Sequence, residues 1–322
     1  MRIFVTGASG WIGSAVVPEL IANGHQVIGL ARSDASAAAL IAAGAEVHRG
    51  SLHDLDSLRA GAESSDGVIH LAFNHESAFS GDFAGAADTD RQVVEAFGDV
   101  LAGSDRPFLI ASGVLGLALG QLATEHDGIS PDGSVLPMGG GPITRLGTAQ
   151  LTINLAEKGI RSAAVRLPPT CHGDGDNGFM VTLVNIAREK GVAGYVGDGS
   201  NRWPATHRLD VAHFFALALD HAPAGSALHA VAEEGVPIRQ VAEVIGRHLD
   251  VPVAPIAPED AAAHFGFLSV FIGFDSPVSS EISRKLLDWE PTHPGLIADM
   301  DDGHYFDGTA EAVVTSERSS LG

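Results

Sequence analysis

A single cysteine, Cys171, excludes an internal disulfide and fits a reducing compartment. Basic residues are scarce: 19 Lys and Arg stand against 40 Asp and Glu, a formal net charge of -21. So acidic a chain gains nothing from counterion release on nucleic acid or from attraction to an anionic membrane, so neither partner is expected. No apolar run approaches the roughly 18 residues of a membrane helix, and Met1 leads directly into a strand; together these predict a cytoplasmic protein. The fifteen histidines show no paired-ligand spacing, so no metal is expected. Internal repeats, heptads and a phosphate-transfer loop are missing as well.

What is present begins with 45% hydrophobic residues, enough for a full core in 322 residues. Met1 to Arg32 reads as strand, glycine turn, helix and strand in succession. Ile3, Phe4 and Val5 form an apolar run too short for a helix, followed by Gly7-Ala8-Ser9-Gly10-Trp11-Ile12-Gly13. Gly7 allows the tight turn, Gly10 lets backbone N–H groups approach a pyrophosphate, and Gly13 lets the next helix lie close on the sheet. That helix, Ile12 to Asn23, presents its positive dipole end to an anion. The loop residues Gly7, Ser9, Gly10, Trp11, Ile12 and Gly13 are therefore candidate contacts of a dinucleotide.

The spacing is GxxGxxG, and with the strand and helix around it the chain resembles the extended branch of the short-chain dehydrogenase/reductase superfamily, which includes sugar-nucleotide epimerases and hydroxysteroid dehydrogenases. The second strand, Gln26 to Ala31, ends in Arg32 and Ser33 rather than an Asp or Glu. A guanidinium and a hydroxyl suit a 2'-phosphate, so NADP(H) is expected over NAD(H). Strands and helices then alternate, which implies a Rossmann-type doubly wound parallel sheet with ligands at the carboxyl ends of its strands. Ser51, next to Leu52, stands where the superfamily has an acidic residue near the adenine. Leu71, Ala72 and Phe73, at the end of the fourth strand, are expected to line the cofactor.

His75 follows in a loop, either as a proton donor to substrate or as a surface histidine. Asp90 sits on a helix from about Asp88 to Leu101, near the superfamily's active-site asparagine; the alternatives are a supporting carboxylate or a helix-surface group. Ser112 offers the only hydroxyl near the catalytic Ser or Thr position, with a one-residue shift; the alternative is a strand-end cap. The superfamily's Tyr-x-x-x-Lys has no counterpart: neither Tyr195 nor Tyr305 has a lysine four residues on. Counting back from the next strand places Gly141 near the tyrosine and Arg145 near the lysine. Arg145 can hold a ribose or a phosphate, but it stays charged and cannot act as an acid.

Arg166 to Gly173 resembles the superfamily's Arg-Pro-x-x-x-Tyr-Gly turn, with Pro168 over the nicotinamide and His172 replacing the tyrosine. His172 either supplies the missing proton or bonds to the turn backbone. The resemblance implies an α/β fold, with residues 1–167 as an NADP-binding Rossmann domain to which 203–222 return. Residues 168–202 and 223–306 form a smaller C-terminal α/β substrate lobe, and 307–322 a flexible tail. Three functions stand open: an NADP(H)-dependent oxidoreductase acting on a small carbonyl, alcohol or imine; an NADP(H)-binding sensor without turnover; and, lower, a sugar-nucleotide epimerase or dehydratase. Relatives suggest a homodimer.

Overall fold

The computed structural model describes residues 1–128 and 144–307. Its first part runs β1 (Arg2–Thr6), α1 (Gly13–Ala22), β2 (Gln26–Ala31), α2 (Asp34–Ala42), β3 (Glu46–Arg49), α3 (Leu55–Glu63), β4 (Gly67–His70), α4 (His75–Phe79), α5 (Phe83–Leu101), β5 (Pro107–Gly113), α6 (Arg145–Asn154) and β6 (Arg161–Leu167). The rest runs β7 (Thr170–His172), α7 (Phe179–Lys190), β8 (Ala193–Val196), β9 (Arg202–His207), α8 (Arg208–His221), β10 (Ser226–His229), β11 (Glu233–Pro237), α9 (Ile238–Leu249), β12 (Val253–Ile256), α10 (Ala261–Phe265), α11 (Glu281–Leu287) and α12 (Leu296–Asp301).

Seven strands form one parallel sheet in the order β10-β6-β5-β4-β1-β2-β3. The period-2 alternation of β1 serves both faces at once. Ile3 and Val5 join Val16, Leu20, Phe214 and Phe215, the apolar sides of α1 and α8. Phe4 points the other way, toward Phe97 of α5 and Phe108 of β5. With helices on both faces the sheet is a doubly wound Rossmann-type fold, as the sequence predicts. Sequential strands depart in opposite directions from β1 and β4, so the crevice beyond those two strand ends is the topological switch point.

A second core, around Met180, Val184, Trp203, Val241, Ile245 and Leu268, belongs to the smaller lobe. Its β-structure is a three-stranded sheet, β11-β9-β7, and the two-stranded pair β12-β8.

Three expectations change in the structure. The division that gave 223–306 to the lobe misplaces β10, which pairs in parallel with β6, and Leu287 and Trp289, which pack in the first core with Phe214. In turn β9 lies in the small sheet, so the return to the large one begins at α8. His75 opens a short helix rather than sitting in a loop, and α5 starts at Phe83, five residues before Asp88, because Asp82 caps it by accepting from Gly85 N. Gly141 and the tail from 308 onward lie outside the described residues.

Candidate functional site

The glycine loop is held too tightly for side chains. Gly7 turns with φ +67°, and a Cβ there would stand 2.7 Å from Ala72 N. A Cβ on Gly13 would stand 2.1 Å from Gly7 O, so α1 lies directly on the loop. Gly10 N closes the turn on Gly7 O at 3.0 Å. No side chain caps α1 at Ile12, so the positive end of the helix faces the loop without a competing acceptor. Ser9 and Gly10 are exposed, Trp11 and Ile12 half-buried, and Trp11 Nε1 donates to Cys171 O at 2.8 Å. These features fit a dinucleotide pyrophosphate.

The other residues expected at a cofactor follow the carboxyl ends of β2, β3, β4 and β6. Arg32 and Ser33 follow β2 exposed, and Ser33 Oγ accepts from Ser36 N at 3.1 Å, capping α2. Asp34 pairs with Arg49 at 2.6 Å. Ser51 and Leu52 follow β3 half-buried; Leu71, Ala72 and Phe73 follow β4 half-buried; Pro168 is buried beyond β6.

At the carboxyl edge the structure groups Phe73, His75, Asp90, Ser112 and Arg145. The Arg145 guanidinium lies 4.2 Å over the Phe73 ring and donates to Ala111 O at 2.7 Å. Ser112, 4% exposed in β5, donates its hydroxyl to Arg145 O at 3.4 Å. His75 meets the Phe73 ring edge-on at 5.0 Å. Although the residue is exposed, crowding of its ring away from water, with the Arg145 cation, lowers its pKa to about 4; Asp90 pulls the other way. Burial lowers the pKa of Arg145 too, with Asp90 again opposing.

Sequence reasoning missed what holds Asp90. His70, 1% exposed, places Nε2 3.0 Å from Asp90 Oδ1 and Nδ1 2.5 Å from Thr6 Oγ1, while Ala72 N donates to the same hydroxyl at 3.4 Å. That network assigns the tautomer: Thr6 donates to Nδ1, and Nε2–H donates to Asp90. The available signal was register, since Thr6 and His70 end paired neighbouring strands.

His172 stands apart from this group. It is fully buried, and Nδ1 bonds Asp299 Oδ2 at 2.9 Å, so its partner is a carboxylate rather than the turn backbone. Tyr305 accepts from Gly173 N and donates to Asp176, and His207 stacks on His293.

Buried histidines make stability pH-dependent. Burial, with the Arg166 charge beside it, lowers His229 to about 4. Burial, with His172 next, lowers His207 to about 4. Each is neutral in the fold and charged in the unfolded chain below its ordinary value of 6.5, so the stability present above 6.5 is lost as pH falls toward 4. Burial raises Asp176 to about 6, which favours the fold at low pH and opposes one of the two. His75, also lowered to about 4, adds to the same loss, so the melting temperature should drop between pH 6.5 and 4; a flat profile across that range would contradict these placements.

Residues 3–231 match the model of the NAD-dependent epimerase/dehydratase family. An uncharacterised protein of Schizosaccharomyces pombe is 45% identical over 307 residues, 95% of this chain and 100% of its own. A 4-hydroxy-2-methyl-3-oxo-4-farnesyl-3,4-dihydroquinoline-1-oxide ketoreductase of Stigmatella aurantiaca is 28% identical over 275 residues, 83% of this chain and 80% of its own. Among solved structures, the dTDP-glucose 4,6-dehydratase of Streptomyces venezuelae, with NAD bound, superposes with TM-score 0.72 at 19% identity, covering 96% of this chain and 98% of that one. The UDP-glucose 4-epimerase of Thermotoga maritima does so with TM-score 0.70 at 20% identity, covering 94% and 96%. By the family model and by the glycine loop at the sheet's switch point, the chain belongs to the NAD-dependent epimerase/dehydratase family.

Proposed function

We propose that this family member is an NADP(H)-dependent oxidoreductase that transfers hydride to or from a small carbonyl, alcohol or imine substrate. The observation that carries the reading is the gathering of Ser112, Arg145 and His75 around Phe73, at the carboxyl edge beside the glycine loop. The bound nicotinamide would supply or take the hydride. The loop N–H groups and α1 hold the pyrophosphate, and Arg32 and Ser33 take the 2'-phosphate. Ser51, Leu52, Leu71, Ala72, Phe73 and Pro168 line the rest.

Arg145 holds the nicotinamide ribose and lends its charge to the substrate oxygen without giving up a proton. Ser112 turns its hydroxyl from Arg145 O to that oxygen. His75, held near 4, is neutral at pH 7, so it relays a proton from water rather than storing one. Asp90 supports Arg145 and His75 from beneath. His172, bonded to Asp299, keeps the turn after β7 in place. The ketoreductase relative supports a carbonyl substrate. The protein acts as a homodimer, and a monomeric mass in sedimentation at micromolar concentration would contradict that.

A second reading, dinucleotide binding without turnover, draws on the Ser112 hydroxyl, which is already engaged by Arg145 O. Consumption of NADPH on a panel of ketones, aldehydes and imines separates the two. Cofactor choice has its own test. NADPH should bind more tightly than NADH, and Arg32→Gln should weaken NADPH about tenfold while leaving NADH unchanged, as loss of one charge-assisted contact implies. Tighter binding of NADH by the wild type would favour NAD(H), the cofactor bound in the dehydratase neighbour.

A further inference from the structure

Nearly every arginine of the described residues has a hydrogen-bond or ion-pair partner: Arg2 has Glu46, Arg49 has Asp34, Arg202 has Asp275, and Arg145 has a main-chain carbonyl. Arg32 and Arg208 have neither. Arg32 follows β2, on the adenosine side of the expected site. Arg208 begins α8, a distant stretch of sequence, yet its guanidinium lies 4.3 Å over the ring of Trp11, the residue that follows Gly10 in the glycine loop.

That placement is built from both sides. Trp11 is fixed by its own N–H bond to Cys171 O, so the ring cannot swing with its neighbour. The arginine stem runs past Gly173, where a Cβ would stand 3.4 Å from Arg208 Cγ and 3.0 Å from His207 Nε2, at a φ of +142° that favours glycine. A side chain at 173 would therefore crowd the approach of Arg208 to the loop. Stacking on an indole fixes the guanidinium plane and leaves its edge N–H groups free. In a chain of net charge -21, a half-buried cation with no carboxylate partner, beside an uncapped helix N-terminus, has an anion as its natural complement.

We propose that Arg208, stacked on Trp11, is the side-chain cation for the dinucleotide's pyrophosphate, supplementing the backbone of the glycine loop from the far side of the crevice. This rests on the dinucleotide reading above, and it adds a contact contributed by α8 that no glycine-loop pattern contains. Because Trp11, Cys171, Gly173 and Arg208 belong to three separate stretches, a bound pyrophosphate ties the loop to the start of α8.

The test is titration of wild-type, Arg208→Gln and Arg208→Lys proteins with NADPH, NADH and adenosine, followed by tryptophan fluorescence and calorimetry at low and moderate salt. Adenosine lacks phosphate and reports on the fold of the pocket. Arg208→Gln should lose about ten- to a hundredfold in affinity for both dinucleotides, the range of a charge-assisted contact, with adenosine unchanged and a shallower salt dependence. Arg208→Lys, which keeps the charge but not the stacked plane, should fall between. Wild-type affinity in Arg208→Gln overturns the proposal, and so does an equal loss for adenosine. A wild type that binds no dinucleotide overturns the functional reading together with it, whereas binding without turnover leaves Arg208 standing and removes only the oxidoreductase.

Discussion

Gly13→Ala should abolish dinucleotide binding and destabilise the fold by about 3 kcal/mol or more, the upper range of overpacking costs. The added Cβ would lie 2.1 Å from Gly7 O and 2.7 Å from the Cα and carbonyl carbon of Ala8. All three are backbone atoms, so no rotamer change relieves the clash. Either α1 lifts from the sheet, uncovering Val16 and Leu20, or the loop opens and its N–H groups lose their aim. Gly24→Ala is the control: φ is +83° there, but nothing lies within 4 Å of the added carbon. It should cost about 1 kcal/mol from backbone strain alone and leave nucleotide affinity intact. Thermal melts and NADPH titrations of the two variants check both halves, and an unimpaired Gly13→Ala would sink the placement of the pyrophosphate.

Arg145→Gln is expected to lower kcat/KM about a hundredfold, as removal of one charged contact to a developing oxyanion does. The fold should survive, since among the described residues the guanidinium bonds one carbonyl, Ala111 O, and its removal breaks no ion pair. Arg145→Lys should recover part of the loss: it restores the charge but not the plane stacked on Phe73. The pH profile distinguishes a direct role from a structural one. Burial is the first cause of the low His75 pKa and the Arg145 charge the second, so without the charge the pKa should rise from about 4 while burial still holds it below the ordinary value, moving any acid limb that depends on neutral His75 to higher pH. A wild-type rate in Arg145→Gln, or a reduced rate with an unmoved acid limb and melting temperature, would remove Arg145 and His75 from the chemistry.

The opening strand-turn-helix-strand unit was legible because its signals are local. Gly7, Gly10 and Gly13 announce a turn, an approach and a close packing within seven residues, and the run from Met1 to Arg32 carries its own strand-helix-strand period. Partners chosen across the fold left no local trace. Nothing near His172 in sequence points to Asp299, its ring partner, so the histidine read as an open site residue. The bond from His70 to Asp90 crosses from β4 to α5, and only the strand register hinted that Thr6 would complete it. The start of α5 was placed late because the Asp82 cap precedes a run of small residues with weak helical periodicity. The lobe boundary failed for a related reason: Ser226–His229 is a four-residue strand with no signal of its own for either sheet, and its neighbour in the large sheet, β6, ends nearly sixty residues earlier.

The central claim, hydride transfer at a site built on Ser112, Arg145 and His75, is tested most directly by following NADPH absorbance with the wild-type protein and a broad panel of ketones, aldehydes and imines, with NADH and the Ser112→Ala variant alongside. Saturable consumption is expected on at least one substrate, faster with NADPH than with NADH and reduced in Ser112→Ala. Tight NADPH binding with no consumption on any substrate would contradict it and leave a dinucleotide-binding protein without turnover.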